Sequence, residues 1–97
     1  MEINFTGHNI EVTTALKNYT KEKFDKLEHF DKLSPIHVVL GVEKLIQTAE
    51  ATLSVPPKAE IHASASSENM YEAIDELADK LNRQLLKHKE KIREHRE

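Results

Sequence analysis

Lys80, Arg83, Lys87 and Lys91 recur at steps of three and four residues near the end of the chain. In a helix turning 100° per residue they lie within roughly 80° of one another. Cations gathered on one side of a rigid element suit a polyanion, whose phosphates they neutralise with release of counterions. Lys23 and Lys26 form a second, smaller group upstream. Other chemistry has little material. The six histidines, His8, His29, His37, His62, His88 and His95, include no i, i+4 pair with a third ligand of the kind that holds zinc on a helix. Gly7 and Gly41 are the only glycines, so neither a phosphate-cradling glycine loop nor a nucleophile elbow is available. Asp75, Glu76 and Asp79 form a carboxylate cluster, but a helix start attracts acids in any case. No catalytic residue, metal site or cofactor is expected.

The cationic stripe needs a helix to carry it, and residues 70–96 read as one. Met70, Ile74, Leu77, Leu81, Leu85 and Ile92 form its apolar face. Asn69 is placed to cap it, with Glu72 in the capping-box position. Residues 68–79 carry Glu68, Glu72, Asp75, Glu76 and Asp79 and no Lys or Arg, whereas residues 80–93 carry six cations against Glu90 alone. Matching of the helix dipole accounts for that gradient along the axis. It does not account for four cations on one side. For Lys23 and Lys26, taken alone, solvated lysines on an exposed helix face are the better explanation.

The rest of the chain supplies the scaffold. With 97 residues it is expected to form one domain, 1–97, with one modest core. Net charge is −3, which counts against a nucleic-acid binder unless the cations are segregated. No apolar run approaches the ~18 residues of a membrane span, and the N-terminus shows no signal peptide. The absence of cysteine excludes disulfides and thiolate chemistry and fits a reducing compartment. Residues 2–6 alternate as a strand that Gly7 breaks. Thr13 caps a helix over residues 14–32 with Leu16, Tyr19, Phe24, Leu27 and Phe30 as its buried stripe, stopped by Ser34-Pro35.

Three strands follow. Ile36, Val38, Leu40 and Val42 alternate with His37, Val39, Gly41 and Glu43. After a polar connection at 44–48, Ala51, Leu53 and Val55 alternate with Glu50, Thr52 and Ser54. Pro56-Pro57 makes the turn into Ala59, Ile61, Ala63 and Ala65, small residues that admit a helix closely. The order β-α-β-β-β-α, with one apolar face per strand, predicts an α+β two-layer sandwich: a four-stranded mixed sheet, both helices on one face, and a right-handed crossover joining the first two strands in parallel. The open face would then carry Glu2, Glu43, Glu50 and Glu60 and no aromatic, with Phe5 turned inward. It lacks the stacking platform of sheet-based RNA binders and should repel phosphate. If the helices lie side by side, Lys23, Lys26, Lys80, Arg83 and Lys87 could line the groove between them, a setting for phosphate and shape recognition.

The segments Ala59–Ala65, Asn69–Asp75, Asp79–Leu85 and Lys87–Lys89, with Thr6-Gly7-His8-Asn9, Ala15-Leu16, Lys23–Leu27, Val38-Val39-Leu40 and Val42-Glu43-Lys44, resemble bacterial ribosome hibernation promoting factors in their short form. The likeness runs along essentially the whole chain, in order. Pro56-Pro57 and a short linker at 31–34 depart from the family's pattern.

The resemblance implies the same β-α-β-β-β-α fold, similar to double-stranded-RNA-binding domains. It also implies a cytoplasmic, non-enzymatic protein, a monomer when free. Its partner would be the 30S subunit and 16S rRNA of the 70S ribosome, in the channel of messenger and the A- and P-site tRNAs. There it would block translation sterically in stationary phase and, acting with a small ribosome modulation factor, favour paired, inactive 70S particles. The family's rRNA-binding residues match Lys23, Lys26, Lys80, Arg83 and Lys87, and more weakly Lys89 and Lys91. The related ribosome-associated inhibitors, which silence 70S particles without pairing them, are the neighbouring subtype. Two classes stand outside the resemblance: a general duplex-RNA-binding module, and a protein-interaction domain docking a partner helix.

Overall fold

Alternation along four strands builds the sheet. The computed structural model describes residues 2–27, 35–55 and 59–95. Its elements are β1 (Ile3–His8), α1 (Thr14–Phe24), β2 (Ile36–Glu43), β3 (Ile46–Val55), β4 (Ala59–Ser67) and α2 (Met70–His95). The sheet runs β1-β2-β3-β4, parallel between β1 and β2 and antiparallel thereafter. The predicted order and mixed sheet are therefore present.

Register sorts the side chains into rows. Phe5, Val38, Ala51 and Ala63 align across the sheet on the inner face, and Leu40, Ala49 and Ala65 form the next row. Ile36, Val38, Leu40, Ala49 and Ala51 are fully buried, and Phe5 packs against them. On the outer face Thr6, Val39, Glu50 and Ser64 align, and beside them Asn4, His37, Thr52 and His62. α2 lies over β3 and β4. It sets Ala73, Ile74, Leu77 and Leu81 on the alanine rows, all four fully buried. Burial of an aliphatic side chain of this size contributes ~1.5–3 kcal/mol. α1 packs beside α2, with Leu16, Thr20 and Phe24 in the same core.

Three boundaries differ from the sequence expectation. β1 continues through Gly7, which pairs with Leu40, to His8. The glycine does not break the strand; a Cβ there would collide with the Ile10 carbonyl as the chain folds back past Asn9, at φ 60°. The connection expected at 44–48 is the two-residue turn Lys44-Leu45, with Lys44 at φ 57° and Glu43 already paired with Ile46. α1 stops at Phe24, well short of residue 32. Lys26 N–H and Leu27 N–H bond three residues back, to the Lys23 and Phe24 carbonyls. That tighter winding keeps Leu27 buried beside Phe24, so the apolar stripe continues although the α-helix does not. Phe30 and the Ser34 stop signal lie outside the described residues, as does Pro56-Pro57.

The helix caps divide the same way. Thr13 Oγ1 accepts from Leu16 N–H at 3.2 Å, as expected. Asn69 Oδ1 accepts from Tyr71 N–H at 2.8 Å, but Glu72 does not close a capping box. Ser67 stands between them: its hydroxyl donates to Glu72 Oε2 at 2.9 Å and accepts from Asn69 N–H at 3.2 Å. Thr20, absent from the predicted stripe, is buried where Tyr19 is only half-buried; its hydroxyl satisfies itself on the Leu16 carbonyl at 2.8 Å.

Candidate nucleic-acid interface

α2 has two flanks, one toward α1 and one toward the edge of β4. On the α1 flank, Lys23, Lys26 and Leu27 face Asp75, Ala78, Asp79 and Asn82 across a groove. Asp75 is its pivot. Tyr19 donates its hydroxyl proton to Asp75 Oδ1 at 2.6 Å, and Lys23 Nζ lies 3.2 Å from the same oxygen. The Lys23 ammonium also sits 5.5 Å from the Tyr19 ring centroid. Tyr71 meets Tyr19 edge to face, with centroids 4.8 Å apart and planes at 86°. The hydrogen bond to Asp75, with burial and the carboxylate's charge behind it, raises the Tyr19 phenol above its ordinary pKa. The same carboxylate, by hydrogen bond and then by charge, raises the Lys23 ammonium.

The β4 flank is built differently. Lys80 Nζ donates to the Ser64 carbonyl at 2.8 Å and Gln84 Nε2 to the His62 carbonyl at 2.9 Å. Both side chains therefore cover outward carbonyls of an edge strand. Lys80 also borders a shallow cleft with Glu76, Thr48, Glu50, Ser64 and Ser66. Arg83 and Lys87 are exposed. On the α2 wheel Lys80 lies ~140° from Asp75, and Arg83 stands at the crest, ~80° from Asp75 and ~60° from Lys80.

The expected groove of five cations is therefore not formed. The structure brings Lys23 and Lys26 into the interhelical groove but places them opposite Asp75 and Asp79, so that the groove carries both signs of charge. Lys80, Arg83 and Lys87 run from the far flank to the crest. α1 lies against the Asp75 side of α2, and one helix cannot present both sides of its wheel to the same neighbour. Lys91 belongs to α2, but its side chain lies outside the described residues.

The sequence reading missed the Tyr19–Lys23–Asp75–Tyr71 clasp. Its signal was the i, i+4 spacing of Tyr71, Asp75 and Asp79 beside the apolar stripe, matched by Tyr19 and Lys23 four apart on α1. The outer sheet face has the expected character. Glu43, Glu50 and Glu60 are exposed on it, and among the described residues its side chains include no Phe, Tyr or Trp. No group of three His, Asp or Glu among the described residues could hold a metal ion. No helix among them is long and apolar enough to cross a membrane.

Comparison with known proteins decides the family. The sequence profile described as sigma 54 modulation protein / S30EA ribosomal protein matches residues 3–93. The chain belongs to this family. Within the S30EA family it is 52% identical over 96 residues to the ribosome hibernation promoting factor of Escherichia coli K12, covering 98% of this chain and all of that one. It is 54% identical over 92 residues to the factor of the same name from Azotobacter vinelandii, covering 94% of this chain and 85% of that one. Its fold is similar to that of a ribosomal subunit interface protein from Coxiella burnetii, with TM-score 0.87 and 33% identity over 92% of this chain and 98% of the other. It is also similar to the N-terminal domain of Thermus thermophilus Protein Y, with TM-score 0.77 and 27% identity over 87% and 94%. The resemblance to hibernation promoting factors thus extends along the whole chain.

Proposed function

We propose that this protein is a ribosome hibernation factor that occupies the messenger and tRNA channel of the small subunit, over the A and P sites. The observation that carries the reading is 52% identity to a named hibernation promoting factor across the full length of both chains. The charge distribution supports a direction of approach. The outer sheet face is acidic, so the helix side meets rRNA, led by the exposed Arg83 and Lys87 with Lys80 beside them. Binding is by phosphate contact and shape, and inhibition is by volume: residues 1–97 act as one folded body that excludes tRNA and messenger without catalysing a reaction. The protein works in the cytoplasm, as a free monomer that joins 70S particles in stationary phase and, with a ribosome modulation factor, favours their pairing.

Three phosphate contacts would give a log–log salt slope of about −2 to −3. The test is co-sedimentation with 30S particles of a variant carrying Lys80→Glu, Arg83→Glu and Lys87→Glu. Loss of binding with an intact fold is expected. Unchanged co-sedimentation would remove this surface from the mechanism. Sucrose-gradient sedimentation of 70S ribosomes with and without the modulation factor separates pairing, seen as a peak heavier than 70S, from silencing alone.

A further inference from the structure

Tyr71 is a large aromatic side chain left 42% exposed where the first turn of α2 meets Tyr19 of α1. Core packing does not require that position, since Met70, Ala73 and Ile74 already seal the first turn of α2. Yet the ring is held in place. Tyr19 buttresses it edge to face, and Tyr19 is itself locked by its hydrogen bond to Asp75. A partly exposed aromatic fixed by a second ring and a carboxylate is already organised before any ligand arrives, which lowers the ordering cost of stacking on it.

The surrounding charge selects the kind of ligand. Glu68, Glu72 and Asp75 stand near Tyr71 along the chain, so a phosphate is disfavoured at the ring itself. A nucleobase carries no charge, and its exocyclic amines can donate to such carboxylates. One turn further along α2 the interhelical groove begins at Asp75, and Lys23 and Lys26 line it. Aromatic ring first and cations next is the order in which single-stranded nucleic acid presents base and phosphate.

We propose that Tyr71 is a stacking site for an unpaired nucleobase, with Lys26 receiving the adjoining phosphate and Lys23, paired with Asp75, lending less. This rests on the ribosome-binding reading and deepens it: beyond the phosphate contacts of the α2 crest, the α1 flank takes one splayed base. The site reads the presence of an unpaired base rather than its identity, because every base has a stacking face.

The chain contains no tryptophan, so Tyr71→Trp installs a single reporter at the site. Titrated at low salt with a nine-residue oligoadenylate, its emission should be quenched; titrated with inorganic polyphosphate, which has charge and no bases, it should not. In parallel, Tyr71→Phe should bind oligoadenylate as wild type does, and Tyr71→Leu about tenfold more weakly. Polyphosphate should bind all of these equally. The Tyr71 backbone N–H that Asn69 caps is kept in each variant, and thermal melting by circular dichroism checks the fold. Absence of oligoadenylate binding by the wild-type protein, equal affinity of the Phe and Leu variants, equal loss on both polyanions, or unquenched indole emission from Tyr71→Trp overturns the site. The two readings fail separately. A protein that joins 30S particles while Tyr71→Leu costs nothing loses only the stacking site. One that ignores 30S particles yet loses oligoadenylate in Tyr71→Leu loses only the ribosome.

Discussion

The two flanks of α2 hold lysines at similar depth and use them in opposite ways. On the α1 flank Lys23 is spent on a carboxylate of the neighbouring helix, 3.2 Å away. On the β4 flank Lys80 donates to a neutral carbonyl, in a cleft it shares with Glu50 and Glu76 but without a direct hydrogen bond to either. The acidic start of α2 supplies the first arrangement and its basic second half the second. The gradient that satisfies the helix dipole thus supplies both arrangements, an acid for α1 to clasp and cations further along. Cations near one another in sequence or in space are therefore not equivalent as phosphate ligands. What matters is the anion already beside each.

The comparison is broken most directly by reversing charge on each flank in turn. Lys80→Glu with Arg83→Glu and Lys87→Glu should weaken 30S binding by about 100-fold or more at ~0.1 M salt and flatten the salt dependence by about two to three log–log units. Lys23→Glu with Lys26→Glu should cost about tenfold, because Lys23 already interacts with Asp75 and releases fewer counterions on binding. Quantitative co-sedimentation at several salt concentrations measures both. If the α1-flank pair costs as much as the crest triple, the distinction between flanks is wrong.

Which flank would be which was only half legible in the sequence. Period-two alternation placed Ile36, Val38 and Leu40 inward, and period-3.6 recurrence placed Ile74, Leu77 and Leu81 on the sheet, because each pattern fixes a face of one element. Thr13 and Asn69 were legible as caps because the first turn of a helix needs an acceptor close by in sequence. The side of α2 that α1 would occupy is not a property of α2. It depends on strand order together with the hand of the β1-α1-β2 crossover, and periodicity alone does not carry that information. Hence Asp75 read as a helix-start acid when it is also the pivot of the clasp, and Lys80 was assigned to a groove on the wrong side. Gly7 and residues 46–48 were misread for a related reason: whether a segment joins a strand is set by the strand brought next to it.

A sharper test removes the compensating anion without adding charge elsewhere. Asp75→Asn keeps an oxygen for the Tyr19 hydroxyl and frees Lys23. Affinity for 30S particles should rise about threefold at low salt, with the gain vanishing at high salt as exposed charges are screened. The melting temperature should fall slightly, since the paired side chains are 35% and 44% exposed and such pairs contribute little. An affinity gain that persists at high salt would point to altered shape rather than released charge.

The smallest expected effect isolates the neutral half of the clasp. Tyr19→Phe deletes the hydroxyl that donates to Asp75 and leaves the ring under Tyr71 and beside Lys23. Binding to 30S particles should stay within about twofold, because no cation is lost or freed. The effect belongs to stability and its pH dependence. Tyr19 and Lys23 both have raised pKa values in the fold, so both favour the protonated form more strongly when folded than when unfolded. The stability this lends is fully present below the ordinary values of 10.0 and 10.5 and is lost as pH rises through the folded values. Tyr19→Phe should therefore melt a few degrees lower than wild type at pH 7, and the gap should narrow above about pH 10, where wild type loses the phenolic contribution and the variant has none to lose. Melting curves between about pH 6 and pH 11 read this directly, and a gap of constant size across that range would mean that the Tyr19 hydroxyl does not hold the two helices together.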